Sequence, residues 1–318
     1  MARAAHRSAA KSARCLRFLA SVLVSFAVLA GALAAGERRA WAQACCVGAS
    51  GLTPGWLTNH ERALVGAQLR LSETWTTYPV QGSFYARTPE RDARVETSLF
   101  ATYRALPRGQ ISAFMPLETI RRRSLGGTDT RTSFGDLTVV GRYDFVRAGE
   151  SWIPGIAVLA GTQAPTGRSS DESTSNLAAD VNGIGTWEIN GGASIEQTFG
   201  HLVLHMTVLA GYRLPNEVLG EDQHLGWRAL YLAAVGWVFD SDVALMATLT
   251  HASDGDATLA GHEAPGTGFR STQAALLVVT PLTDNLRLRT SVFTDVPPLG
   301  VNRPALGGTS ISLAKTWF

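Results

Sequence analysis

Three sets of side chains in this 318-residue chain have the types that chemistry needs. Ser194, Glu196 and His205 could serve as nucleophile, acid and base. His251, Asp254, Asp256, His262 and Glu263 fall in or beside one polar stretch and could hold a cation, although solvated loop polarity is the favoured account of them. Arg142, Asp144, Glu188, Arg213, Arg228, Arg287 and Arg289 are single charges set into otherwise alternating apolar segments. The chain has no phosphate-cradling glycine loop and no HExxH pair. Its cysteines are Cys15, Cys45 and Cys46, with no metal-ligand spacing. Adjacent Cys45 and Cys46 could close only a strained disulfide, and Ala42-Gln43-Ala44 is a poor approach to a lipidated Cys45. No metal and no cofactor are expected.

Strand periodicity decides where these charges point. Between 134 and 145, Leu137, Val139, Gly141, Tyr143 and Phe145 share one parity, and Asp136, Thr138, Val140, Arg142 and Asp144 share the other. Between 187 and 199, Trp187, Ile189, Ile195 and Phe199 oppose Glu188, Asn190, Ser194 and Glu196. Successive strand residues face opposite sides, so each segment has one oily and one polar face. Gly200-His201 fits a two-residue hairpin loop with glycine first, which sets Phe199 opposite Leu202. Glu196 then meets His205 and Glu188 meets Arg213 on the polar face, while Ile195 meets Met206 on the other. A slip of one residue would turn both glutamates to the oily side. Parity sends Arg142, Asp144, Arg228, Arg287 and Arg289 to the polar face as well. A lipase at a lipid boundary would need its nucleophile on the oily side, so catalysis is not expected of Ser194, Glu196 and His205.

Short connections near 106–108, 148–150, 200–201, 240–241 and 282–284 alternate with polar stretches at 78–92, 121–133, 164–184, 214–225, 253–267 and 296–307. Eleven connections make twelve segments. The expected fold is all-β: a transmembrane antiparallel up-and-down β-barrel of about 12 strands, with short periplasmic turns and long extracellular loops. Trp227 and Trp237 share a face ten residues apart. At about 3.3 Å per residue and a tilt of about 40°, that is roughly 25 Å, the height of an apolar belt between aromatic girdles. Tyr103, Tyr143, Phe145 and Phe199 fall beside the short connections. Aromatics filling a soluble sandwich are the competing account, but the segments are long for sandwich strands. Residues 152–163 are apolar on both faces, and the positions alternating back from Phe318 are Thr316, Ala314 and Ser312. The inward charges are mixed in sign, so no ion selectivity is expected from a ring.

The first 44 residues have the build of an export signal: a basic start, an uncharged run from Phe18 to Ala35 and small residues at Ala40-Trp41-Ala42. That run also approaches the length of a retained anchor. Without 1–44, 21 Lys+Arg stand against 25 Asp+Glu, so nucleic acid is not an expected partner. The chain divides into 1–44, an N-terminal segment 45–60 that is either a periplasmic tail or a small plug, and a barrel over 61–318. Expected partners are outer-membrane lipid, small-molecule solutes and, through Trp317 and Phe318, the barrel assembly machinery. The bacterial outer membrane is the expected location.

Gly135-Asp136, Arg142-Tyr143-Asp144-Phe145, Pro165-Thr166-Gly167 and Gly183-Ile184-Gly185-Thr186-Trp187 follow one another in the chain. With these motifs, residues 45–318 resemble the outer-membrane transporter family associated with meta-pathway phenol degradation, distantly similar to barrels importing fatty acids and aromatic hydrocarbons. Ser133-Phe134 departs from the extra glycine expected before Gly135-Asp136. The resemblance implies passive passage of small, hydrophobic or aromatic molecules through a lumen. A non-conducting structural or adhesive barrel whose loops bind partners is the alternative.

Overall fold

The computed structural model describes residues 55–79, 91–124, 126–148, 152–218, 220–296 and 299–318. The export-signal stretch and the cysteine pair lie outside them. Along the chain run β1 (Ala63–Tyr78), β2 (Arg91–Leu106), β3 (Gly109–Ser124), β4 (Gly127–Phe134), β5 (Leu137–Val146) and β6 (Gly155–Ala164). They are followed by β7 (Glu188–Phe199), β8 (Leu202–Arg213), β9 (Asn216–Val218), β10 (Glu221–His224), β11 (Arg228–Val238) and β12 (Ala244–Asp254). The last five are β13 (Ala257–Leu259), β14 (His262–Ala264), β15 (Phe269–Thr283), β16 (Leu286–Asp295) and β17 (Arg303–Trp317).

Twelve of these strands pair antiparallel into a closed barrel, with β4 as an extra piece. The seam joins β1 to β17, from Ala63 opposite Trp317 to Tyr78 opposite Arg303. Near the turns β3 pairs with β5, and beyond Pro116 it pairs with β4. β4 and β5 are thus one strand broken at Gly135-Asp136, where the register against β3 steps by one residue.

Outward side chains form an oily belt, with Val65, Leu99, Ile189, Met206 and Leu276 all exposed. Tyr103, Tyr143, Phe145, Phe199, Trp237 and Trp317 ring the turn end, and Trp75, Phe134, Trp187 and Trp227 ring the loop end. Within these rings Tyr143 and Phe145 of β5 meet edge-on at 5.1 Å, and a tilted Tyr212–Trp227 contact at 5.0 Å links β8 to the start of β11. The final strand belongs to this pattern when counted from Trp317. Ile311, Leu313 and Trp317 face outward, Ser312, Ala314 and Thr316 are buried inward, and Phe318 lies past the strand end. Lys315, the one outward charge among them, lays its ammonium over the Trp317 ring at 5.6 Å.

Gly200-His201 makes the tight turn expected of it, with Gly200 at φ +56°, and the β7–β8 register is the one that turn dictates. The connection expected at Ala148-Gly149-Glu150 lies partly outside the described residues; eight residues separate Val146 from Gly155, and among them Trp152 packs edge-on against Phe199 at 6.0 Å. Two expected polar stretches, 121–133 and 296–307, are different. The stretch 121–133, expected as a loop, is the outer part of the β3–β4 hairpin. Above the apolar belt both strand faces meet water, so Arg and Thr can alternate in a strand with no hydrophobic signature. The stretch 296–307 is cut short because β17 starts at Arg303. Stretches 214–225 and 253–267 each contain a small hairpin, and β10 pairs with β13 to join them in a four-stranded sheet over the loop end.

Candidate functional site

The register places all nine charged residues singled out above on the inner wall: Arg142 and Asp144 on β5, Glu188 and Glu196 on β7, His205 and Arg213 on β8, Arg228 on β11, Arg287 and Arg289 on β16. They do not form one ring. Arg213 bridges Glu188, at 3.0 Å from Nε, and Asp254 through its other guanidinium nitrogen. Arg228 approaches the same two carboxylates at 3.6 and 3.9 Å. Asp254, one of the cation candidates, is the fourth member of this ion cluster. Arg142 donates to Asp144 at 2.7 Å, and Arg287 pairs with Glu61. Such buried pairs add little net stability, because desolvation offsets their attraction, yet losing one partner is costly.

His205 lies 3.4 Å from Glu196 through Nδ1 and 2.8 Å from Thr207 through Nε2. Its hydroxyl partner is therefore Thr207 and not Ser194, which stands across from Thr207 in the ladder. All four are at most 3% exposed, so the group packs into the wall and offers no surface to a substrate. The remaining cation candidates are scattered. His251 bonds Thr272 at 2.9 Å, Asp256 accepts from the Gly268 amide at 2.7 Å, and His262 and Glu263 lie on β14. Among the described residues no three metal-ligating side chains converge.

The turn end of the interior is filled by the chain before β1. Trp56, 2% exposed, packs on Val140, Leu159 and Leu209, with the Arg142 guanidinium 5.5 Å from its ring centre. Backbone polar groups of this segment are met by the wall: Thr102 donates to the Gly55 carbonyl at 2.9 Å, and the Leu57 amide donates to Gln110 at 2.8 Å. Arg104 donates to the carbonyls of Thr58 and Glu61 at 2.6 and 2.9 Å. Sequence reasoning missed Thr102, Arg104, Gln110 and Glu61. One signal did exist: β6 is apolar on both faces because Ile156 and Val158 face out while Ala157 and Leu159 are buried on the inner side, where Leu159 meets Trp56.

The motifs behind the family resemblance, far apart in sequence, meet at the strand break. Asp136 accepts hydrogen bonds from the amides of Gly167 and Ile184 at 2.8 and 2.9 Å and from Gln163 at 2.9 Å. Thr166 donates to the Gly135 carbonyl and accepts from the Leu137 amide. A Cβ on Gly183 would stand 2.6 Å from the Gly167 carbonyl carbon, so the backbones can cross only if both are glycine. This node pins the loop 165–187 to the inner side of β3 and β4. Farther along, the loop is held by Arg122, which donates to the carbonyls of Leu177 and Ala178, and by Ser175 on Asp129.

Asp180 organises the loop from within. Burial alone would raise its pKa, but hydrogen bonds from Ser173, the Thr174 amide, Arg168 and the Thr174 hydroxyl outweigh that and hold the carboxyl well below the usual carboxylate range. A depressed folded-state pKa gives docking energy that is complete above the unfolded value of about 3.9 and is lost as pH falls through the folded value. Protection of the amides across 168–182 from exchange, relative to the unfolded rate, should therefore hold at neutral pH and fall only under strong acid. Asp180→Asn should lower that protection at neutral pH, and unchanged protection in that variant would refute the assignment.

The interior is not uniformly polar, as strand parity alone had implied. Leu232, Ala234, Ala244, Met246, Leu277 and Val279 form a buried apolar cluster on the inner side of β11, β12 and β15. Next to it, an open space runs along β12, β15, β16, β17 and β1.

A family model described as "Putative MetA-pathway of phenol degradation" matches residues 76–283. No curated protein matches the sequence. Among solved structures, the fold is similar to an outer-membrane channel from Pseudomonas putida F1, with TM-score 0.66 and 14% identity over 81% of this chain and 96% of that one. More distant likenesses are the translocator domain of the autotransporter NalP from Neisseria meningitidis (TM-score 0.47, 11% identity, 85% of this chain and 92% of that one) and the CymD monoaromatic hydrocarbon channel (TM-score 0.42, 9% identity, 81% and 90%).

Proposed function

This chain belongs to the MetA-pathway phenol-degradation family, and from that premise we propose that it is an outer-membrane channel for the passive passage of small solutes, hydrophobic and aromatic ones included. The observation that carries this reading is the pairing of an oily, aromatic-ringed outer face with an inner face that is charged and leaves an open space along one wall. In lipid, unpaired strand edges are too costly, and a closed barrel removes them. Residues 1–44 act as the export signal, the loop end faces outward, and Trp317 with Phe318 presents the chain to the assembly machinery. The family description names a degradation pathway. The function proposed here is delivery of solute to such chemistry, with no reaction performed by the barrel itself.

The Trp56 segment favours a second reading, a non-conducting barrel whose loops bind partners, because it fills the turn end of the lumen. Planar-bilayer conductance and liposome swelling with phenol, fatty-acid and sugar solutes separate the two. A folded barrel, verified by its heat-dependent gel shift, that passes neither ions nor solutes would sink the channel reading.

A further inference from the structure

We infer that the outer face of the β3–β4 hairpin, just above the oily belt, is a docking surface for the phosphorylated glycolipid of the outer leaflet. The inference rests on the loop end facing outward and is independent of what the lumen carries. Alternation on β3 continues past the belt. Ile111, Met115, Leu117 and Thr119 face outward, and Arg121 and Arg123 follow at the same parity, both exposed. Thr130 and Thr128 of β4 stand opposite these two arginines, and on the other side β2 sets Ala93 and Arg91 opposite them. At about 3.3 Å per residue and a tilt of about 40°, Arg121 and Arg123 lie about 10 and 15 Å above Leu117, in the layer of lipid headgroups.

Counter-charge separates this face from the inner face of the same strands. Inward, Arg94 pairs with Glu118 at 3.3 Å, Arg122 with Asp92 at 3.1 Å and Arg131 with Asp129 at 3.4 Å. Outward, no carboxylate pairs with Arg121 or Arg123 among the described residues. Glu73 of β1, the outward acid nearest in the ladder, stands beyond Ala93, two strand spacings or about 10 Å from Arg121. Arg91 and Arg123 are directly opposite, and like charges so placed weaken a ladder unless an anion is shared between them. A phosphate meets this arrangement, because its oxygens accept from planar guanidinium forks and from threonine hydroxyls beside them. Its acyl chains would lie on Leu99, Met115 and Phe134, which are exposed directly below. A free anion would leave that apolar contact unused. Basic side chains at a membrane surface hold anionic headgroups by charge at this short range.

The test is native mass spectrometry of the detergent-solubilised full-length barrel, titrated with bisphosphorylated lipid A, its dephosphorylated form and phosphatidylglycerol. The bisphosphorylated lipid should bind at least about tenfold more tightly than either, and Arg121→Gln combined with Arg123→Gln should weaken it about tenfold. Lysine at both positions, which keeps the charge, should recover part of that loss. Arg131→Gln, on the inner face, should change the affinity by less than about twofold, and the gel shift verifies that each variant is folded. Equal binding of the dephosphorylated lipid, or a double glutamine variant that binds undiminished, would overturn the docking surface. Phosphatidylglycerol bound as tightly would overturn the choice of glycolipid. Orientation is read separately, by labelling Glu263→Cys on intact cells with a membrane-impermeant maleimide, against the unsubstituted protein. Labelling only after lysis would overturn the assignment to the outer leaflet. Selective lipid binding in a barrel that never conducts would keep the surface and remove the channel.

Discussion

Replacing Arg213 with alanine should destabilise the barrel by about 3–5 kcal/mol, the cost of leaving buried carboxylates without their main counter-charge. Glu188 and Asp254 are 3% and 9% exposed, and the remaining arginine, Arg228, stands 3.6 and 3.9 Å from them. Urea unfolding of the vesicle-inserted protein measures the loss. A second substitution identifies its cause. Asp254→Asn in the Arg213→Ala background should return part of the stability, because Arg228 then has one carboxylate to neutralise. A loss below about 1 kcal/mol would mean that water already screens the cluster as it does a surface pair. Replacing the whole cluster by apolar residues of similar size should cost far less than the single substitution.

Trp56→Ala should change the lumen most. Removing a buried tryptophan that packs on Val140, Leu159 and Leu209 costs about 3–5 kcal/mol. The Thr102, Gln110 and Arg104 hydrogen bonds then have to hold the segment without its anchor. The expected result is undocking of residues 55–60 and a several-fold rise in single-channel conductance in planar bilayers. Trp56→Phe should retain most of the packing and most of the blockage. An unaltered conductance in the alanine variant, with the barrel folded, would show that solute does not cross the space this side chain occupies.

Strand content, the antiparallel barrel and the β7–β8 ladder were legible in the sequence because each rests on a local rule. A two-residue turn fixes a register, and a register with period two fixes faces, so Glu196 opposite His205 and Glu188 opposite Arg213 followed from Gly200-His201 alone. What escaped was set by contacts between distant segments. Nothing in the chemistry of Gly135-Asp136 announces that Asp136 will cap amides at Gly167 and Ile184. The outer part of β3 and β4 was hidden for a different reason. Beyond the lipid belt the two strand faces share one solvent, so Arg121, Arg122 and Arg123 leave no alternation to detect. Trp56 illustrates a third case, in which the signal was displaced: its presence was written in the inward apolar residues of β6, not in the segment that carries it.

The Glu61–Arg287 pair also has a kinetic meaning. Glu61 lies just before β1 and Arg287 lies on β16, so the contact reaches past β17 and spans the seam where first and last strands meet. Loop-closure entropy makes contacts between chain ends among the slowest to form. The ion pair can therefore assemble only after the final hairpin has arrived. It latches the stretch before β1 to β16 across the finished seam, so its formation marks the closing of the barrel itself.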